Sequence, residues 1–197
     1  MNETTHEVRE SHPTDLKSRI LQEATKLFAE RGYNAASVRE VVEAAGCTKP
    51  ALYYYFEGKD ALFVEAIRRA TTEMTDLIEG TMASQGAIRD QLIAGIESFM
   101  GYLDANQMTM RLLMRAELQP DDGQPPFDFD SVRARHTQMI TTMLQSGVDR
   151  GEIRADVDLD DAAHALAGMV DQRLRLWLVG IAPPPDVGRR IVRIFFD

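Results

Sequence analysis

Apolar positions recur at helical spacing in one segment after another. Leu16, Ile20, Ala24, Leu27 and Phe28 mark a first helix that starts near Thr14 or Asp15 and ends at Arg31–Gly32. Val38, Val41, Val42 and Ala45 repeat on one face of a short second helix, and Leu52 and Phe56 give a short third helix a narrow buried side. Leu62, Phe63, Ala66, Ile67, Ala70, Met74, Leu77 and Ile78 line a long helix from Lys59 to about Glu79, about 30 Å at 1.5 Å per residue. A loop over 80–86 follows. Ile88, Leu92, Ile96, Phe99 and Leu103 then predict a helix over 87–103, and Met110, Leu113 and Met114 another over 108–118. The stretch QPDDGQPP breaks the pattern at 119–126. A helix over 132–148 precedes a turn at 151–157, and Asp158, Asp160 and Asp161 mark a helix start that runs to about Val179. Pro183 to Pro185 separate it from a last helix over 187–196. The pattern predicts an all-α fold of about nine helices.

The densest set of local signals lies between Ser37 and Phe56. Ser37 and Glu40 form a capping box, Gly46 supplies a residue free to take positive φ, and Thr48 can cap a third helix with Pro50 in its first turn. This is a helix-turn-helix, whose second helix has the form of a DNA reader. Lys49 and Lys59 both stand at helix N-termini, where a cation opposes the macrodipole at a cost of up to roughly 1 kcal/mol. Two such placements in close succession suggest that both lysines meet an anion, and phosphate is the fitting one. Tyr53, Tyr54 and Tyr55 add hydroxyls for phosphates and rings that cover sugars; taken singly, they could equally be partial core.

The residues ILQEATKLFAERGY, SVREVVEAAG and TKPALYYYFEGKDALFVEAI closely resemble the DNA-binding domain of TetR/AcrR-family transcriptional regulators. The aromatic end of the third helix, the glycine–lysine pair and Leu62–Phe63 carry the likeness, which is strong over 14–79 and architectural beyond. The resemblance implies a three-helix DNA-binding domain over 14–60 and an effector-binding and dimerisation domain over 61–197; residues 1–13, polar, slightly acidic and without periodicity, read as a disordered tail. It also implies that Ser37, Val38 and Arg39 approach DNA beside Thr48, Lys49, Pro50, Ala51, the three tyrosines and Lys59. Arg39 is the residue among the first three best able to bond a phosphate or a guanine edge.

Composition narrows the class. One cysteine, Cys47, excludes an internal disulfide and fits a reducing cytoplasm, and no apolar run approaches the roughly 20 residues of a membrane span. The net charge of −9 argues against DNA until its distribution is considered. Acids and bases balance from Thr14 to Asp60, and the excess lies mostly beyond. Such a reading head relies on local fit and on pairing, while the acidic remainder favours one docking orientation.

The later helices carry two features. Methionines and aromatics recur, and Phe99, Tyr102, Met110, Met114, Met139, Met143 and Trp177 suit an adaptable apolar pocket in which His136 or Arg173 could orient a ligand. Ordinary core is the bland alternative. In the penultimate helix Ala162, Ala163, Ala165, Ala167 and Gly168 form a small-residue patch, with Val170, Leu174, Leu178, Ile191, Ile194 and Phe195 adding apolar surface. This looks like the family's four-helix dimer interface. Two heads about 34 Å apart would read a palindrome.

Neither a Ser-His-Asp constellation nor a phosphate loop nor metal-ligand spacing occurs, so no enzyme activity, metal or cofactor is assigned. The chain reads as a homodimeric repressor, released from a palindromic operator by a small, largely apolar effector. The alternative is a DNA-binding dimer without an effector.

Overall fold

The computed structural model describes residues 13–83 and 85–196. Among them it contains nine helices and no strand: α1 Pro13–Ala35, α2 Val38–Ala44, α3 Lys49–Tyr55, α4 Lys59–Met82, α5 Ile88–Ala105, α6 Gln107–Leu118, α7 Phe129–Asp149, α8 Leu159–Leu178 and α9 Val187–Phe196. The expected tail over 1–13 lies, apart from Pro13, outside the described residues.

Most boundaries fall within two residues of the apolar pattern. Three do not: α1, expected to end at Arg31–Gly32, runs on past an interruption at Gly32 to Ala35, and the other two each have a physical reason. The helix beginning at Lys59 continues through Gly80 to Met82, since a single glycine weakens a helix by only about 1 kcal/mol without ending it. The helix expected from Val132 begins at Phe129, because the Asp128 side chain accepts a hydrogen bond from the Ser131 amide at 3.0 Å and fixes an earlier first turn.

The first three helices fold around one small core. Ile20, Ala24 and Phe28 of α1 meet Val41, Leu52 and Phe56, all buried. Phe63 at the start of α4 packs edge-on against Phe28 and Tyr33, with ring centres 5.0 and 5.1 Å apart. The Tyr33 hydroxyl donates to the Asp60 carboxylate, and burial together with that bond pushes its pKa up to about 12. Arg19 Nε donates to the Ala45 carbonyl at 2.8 Å, which ties α1 to the end of α2.

From this core α4 runs on between α5, α6 and α7. Helix α6 lies along α1, and α7 pairs with α8. Helix α9 sits on α5, close enough that a Cβ on Gly188 would come 2.8 Å from the Ile93 carbonyl oxygen. Glu97 of α5 accepts the Gly188 amide at 2.9 Å, placing a carboxylate at the positive end of α9.

Candidate nucleic-acid interface and internal cavity

The helix-turn-helix is built by its caps. The Ser37 hydroxyl accepts from the Glu40 amide at 3.3 Å, and the Glu40 carboxylate accepts the Ser37 amide at 3.0 Å and its hydroxyl at 2.7 Å. That hydroxyl, with Arg31 beside it, holds Glu40 below its ordinary carboxylate pKa. Gly46 makes the turn at φ 59°. Thr48 then accepts from the Ala51 amide at 3.3 Å, opening α3.

These bonds determine what the expected DNA residues have left to offer. Ser37 has committed both its amide and its hydroxyl to Glu40, so it stands as a cap. Thr48 is likewise a cap. Arg39, Lys49 and Pro50 are exposed, and neither Arg39 nor Lys49 bonds to another described residue. Tyr54 is 82% exposed and Tyr53 51%, an unusual display of aromatic surface. Tyr55 turns partly inward between Tyr54 and Phe56, and Val38 and Ala51 are half-buried. Lys59 is half-buried too. Its Nζ donates to the Asn34 carbonyl at 3.2 Å and lies 4.3 Å above the centre of the Tyr33 ring. Cys47 is partly buried in the turn, and burial pushes its thiol pKa up, away from reactivity.

A cavity of about 1030 Å³ opens among α4, α5, α6, α7 and α8. Phe99, Met110, Met114, His136 and Met143 line it as the apolar pattern suggested. Tyr102, Arg173 and Trp177 do not. The Tyr102 hydroxyl reaches towards Glu73 at 3.5 Å, and burial pushes its pKa up to about 12. The Trp177 indole donates to Asp104 at 2.7 Å, so in both residues the polar tip takes the ring to another helix. Met139 lines a second, smaller cleft of about 520 Å³ beside Glu79 and Arg135.

Wall residues that the pattern had assigned to ordinary core include Met74, Ile78, Leu92 and Ile96. Thr71, buried within the stripe of α4, was the available signal. His136 is the most telling wall residue. Its Nε2 lies 2.9 Å from Thr75 Oγ1, and Thr75 in turn donates to the Thr71 carbonyl at 2.8 Å. Burial, assisted by Arg135 and opposed by Glu79, holds the His136 pKa below the ordinary imidazole value.

The residues of the expected dimer patch divide between the inside and the outside of the subunit. Ala163, Leu174 and Ile191 are buried within the subunit, and Ala167, Val170 and Leu174 line the cavity. Ala163 and Ala167 therefore serve the approach of α8 to its own subunit, while Ala165 and Gly168 are exposed. Leu178 is half-buried and Ile194 is 70% exposed, while the side chain of Phe195 lies outside those described. Ala165 and Gln172 of α8 are exposed, as is Gly168 at the edge of the cavity, and Val179, just past the end of the helix, is 72% exposed.

One joint had no local signal. α1 is interrupted at Gly32, at φ 84° and ψ 176°. Arg115 at the end of α6 donates to the Arg31 carbonyl at 3.3 Å, Asp121 accepts the Asn34 amide at 2.9 Å, and the Asp122 carbonyl accepts from the Asn34 side chain at 3.0 Å. Helix α6 thus faces the cavity with Met110, Leu113 and Met114 while its end and the following turn hold the end of α1.

Among the described residues, no helix is long and apolar enough to cross a membrane. The family pattern described as bacterial regulatory proteins, tetR family, matches residues 20–66, and that of the tetracyclin repressor-like C-terminal domain matches residues 82–195. The HTH-type transcriptional repressor KstR2 of Mycolicibacterium smegmatis is 27% identical over 157 residues, 76% of this chain and 73% of that protein. The crystal structure of the TetR family regulator PfmR from Thermus thermophilus is 26% identical, with a TM-score of 0.71 over 90% of this chain and 97% of the other. That of FadR from Bacillus subtilis, in complex with stearoyl-CoA, has a TM-score of 0.73 at 16% identity, over 91% of this chain and 97% of the other, a likeness of fold.

Proposed function

The chain belongs to the tetR family of bacterial DNA-binding transcriptional regulators, and on that premise we propose that it is a homodimeric repressor released from a palindromic operator by a small, largely apolar effector. The reading head ends near Asp60, and the remainder binds the effector and pairs the subunits. It acts in the cytoplasm, where the operator is, and catalyses no reaction.

In the head, Lys49 and Arg39 are exposed cations without a partner among the described residues, and Tyr53 and Tyr54 project beside them. On this reading Lys49 and Ala51 face base edges, while Tyr53, Tyr54 and Lys59 take backbone phosphates. Ser37 and Thr48 act through their caps, by orienting the two helices. Pairing uses the exposed Ala165 and Gln172 of α8 and Val179 just past its end, together with Ile194 of α9. The small Ala165 lets two copies of α8 approach closely, and the second head supplies specificity that one short helix lacks.

The observation that carries release is the double duty of α6. One face lines a largely apolar cavity, and its end holds α1 at Gly32 to Asn34. A ligand that displaces the cavity face of α6 moves the joint and, through α1, the head. The acidic excess lies beyond Asp60, and its repulsion of phosphates keeps the duplex at the heads.

The test is selection of bound duplexes from a random pool, followed by anisotropy titration of the selected site with and without candidate apolar ligands. A palindromic site whose affinity falls on ligand addition, with the dimer intact by light scattering, is the expected result. No preferred duplex would refute the DNA reading. Ligand-driven dissociation into monomers would refute the release mechanism.

A further inference from the structure

The cavity's polar groups specify more than an apolar ligand, and the argument rests on the reading of that cavity as the effector site. Its charged lining consists of Glu117, Asp160 and Asp171 against Arg133 and Arg175. Arg133 is paired with Glu117 and Asp130, and Arg175 with Asp171 at 2.7 Å. His164, at the rim, bonds the Asp160 carbonyl at 2.8 Å. No cation on the wall is left to neutralise an anionic ligand, and an acid-rich lining repels one.

The neutral polar groups narrow the choice. The Thr75 hydroxyl has one proton, and a carbonyl can only accept, so the bond to the Thr71 carbonyl takes that proton. His136 Nε2 must then donate to Thr75 Oγ1, which leaves Nδ1 as a bare acceptor. His136 has no other bond to a described residue, and none of its nitrogens is both sealed off and unsatisfied. Thr71 and Thr141, also on the wall, have given their hydroxyl protons to carbonyls of their own helices, Thr71 to Ile67 at 3.1 Å and Thr141 to Thr137 at 3.1 Å. Three groups therefore offer lone pairs to the space, and Thr137 and Gln138 can serve either sense.

We propose that the effector is an uncharged amphiphile whose hydroxyl group donates a hydrogen bond to His136 Nδ1, with its apolar part along Met74, Leu92, Ile96 and Met110. A carboxylate or a phosphate brings acceptors to acceptors and fits the site poorly. An ether of the same length fills the same volume and has nothing to donate.

Isothermal titration calorimetry of the full-length protein at pH 8 with 1-decanol, nonyl methyl ether, decanoate and decanoyl-CoA tests this. Decanol should bind at least about tenfold tighter than the ether or the decanoate, the loss expected for one unmade hydrogen bond at a buried acceptor. His136→Phe should bind decanol and the ether alike. Because that variant removes the bond to Thr75 and its fold has to be established, a second readout uses the wild type. In ¹⁵N-histidine-labelled protein, the Nδ1 resonance of His136 should move towards the hydrogen-bonded position on adding decanol and stay in place on adding the ether. Tighter binding of decanoate or decanoyl-CoA than of decanol overturns the hydroxyl inference and leaves the cavity as the effector site. If none of the four binds, the cavity reading falls with it.

Discussion

Replacing Gly32 with alanine isolates the joint between α1 and α6. At φ 84° and ψ 176° Gly32 occupies a region essentially confined to glycine, and holding another residue there costs on the order of 1–3 kcal/mol. A Cβ on Gly32 would also lie 2.4 Å from Arg115 Nη2 and 2.5 Å from Asp121 Oδ2. Both atoms are tips of flexible side chains and can move aside, but moving Asp121 breaks the bond it accepts from the Asn34 amide, worth about 1 kcal/mol at a partly exposed site. The Arg115–Asp121 pair, 3.7 Å apart and open to solvent, adds less than about 1 kcal/mol. Gly32→Ala should therefore cost about 2–4 kcal/mol and lower the melting temperature by roughly 5–15 °C for a chain of this size. Asp121→Ala leaves the backbone alone and should cost only about 1 kcal/mol. Urea unfolding followed by circular dichroism on both single variants and the double variant measures all three. The double variant should be less destabilised than the sum by about 1 kcal/mol, since the bond lost in one background is already absent in the other. A Gly32→Ala protein within about 0.5 kcal/mol of the wild type would refute the conformational argument. Strict additivity would refute the claim that Asp121 is held across Gly32.

Lys59→Ala should weaken binding to all duplexes alike and reduce the slope of log affinity against log salt by about one unit, as measured by anisotropy at several salt concentrations. Lys49→Ala should instead change which base is preferred; an unchanged selected site would remove its base-reading role. Gly188→Ala drives a methyl group against the backbone oxygen of Ile93, which cannot rotate away. It should cost about 1–3 kcal/mol by thermal unfolding and, with α9 lifted, weaken dimerisation by light scattering. His136 is held below the ordinary imidazole value of 6.5, so the unfolded chain binds its proton more readily. Its contribution to stability is fully present above that value and is lost as pH falls below it. His136→Gln should flatten the decline in unfolding free energy between about pH 7 and 5.

The parts of the molecule legible from the residues are those built by local rules. A capping box, a positive-φ glycine and a second cap define α2, the turn and α3 within a few positions, so Ser37, Glu40, Gly46 and Thr48 could be read without neighbours. The same reading could not tell that the Ser37 hydroxyl is consumed by its cap, because the geometry of both bonds decides that. Helical periodicity identifies which face of α5 or α6 points inward but not where the inward faces fail to meet. Tyr102 and Trp177 sit on apolar stripes and still leave the cavity, since Glu73 and Asp104 capture their polar ends. The small residues of α8 signal close approach by something; the something is the subunit itself at Ala163 and Ala167. The α1–α6 joint left no trace, because Arg115 and Asp121 are far from Gly32 in sequence and bond mostly to backbone groups.

That joint also limits how release can work. An effector that empties the operator must favour the released shape by about 5 kcal/mol. The bonds at Arg31 and Asn34 are few and partly exposed, and together they account for about half of that. The remainder has to come from apolar packing that differs between two arrangements. Helix α4 is poorly placed to supply it alone, since Leu62, Phe63 and Ile67 are locked in the core of the head. On α6, Leu112 and Ala116 are buried away from the cavity, while flexible Met110 and Met114 line it. A ligand that repacks the methionines can rotate the opposite face without opening the core, because packed interfaces shift between discrete arrangements instead of deforming smoothly. Asp121→Ala should then weaken the ligand's effect on operator affinity without abolishing it. Complete loss of response in that variant would place the whole coupling in the polar joint and exclude a share for the packing of α6.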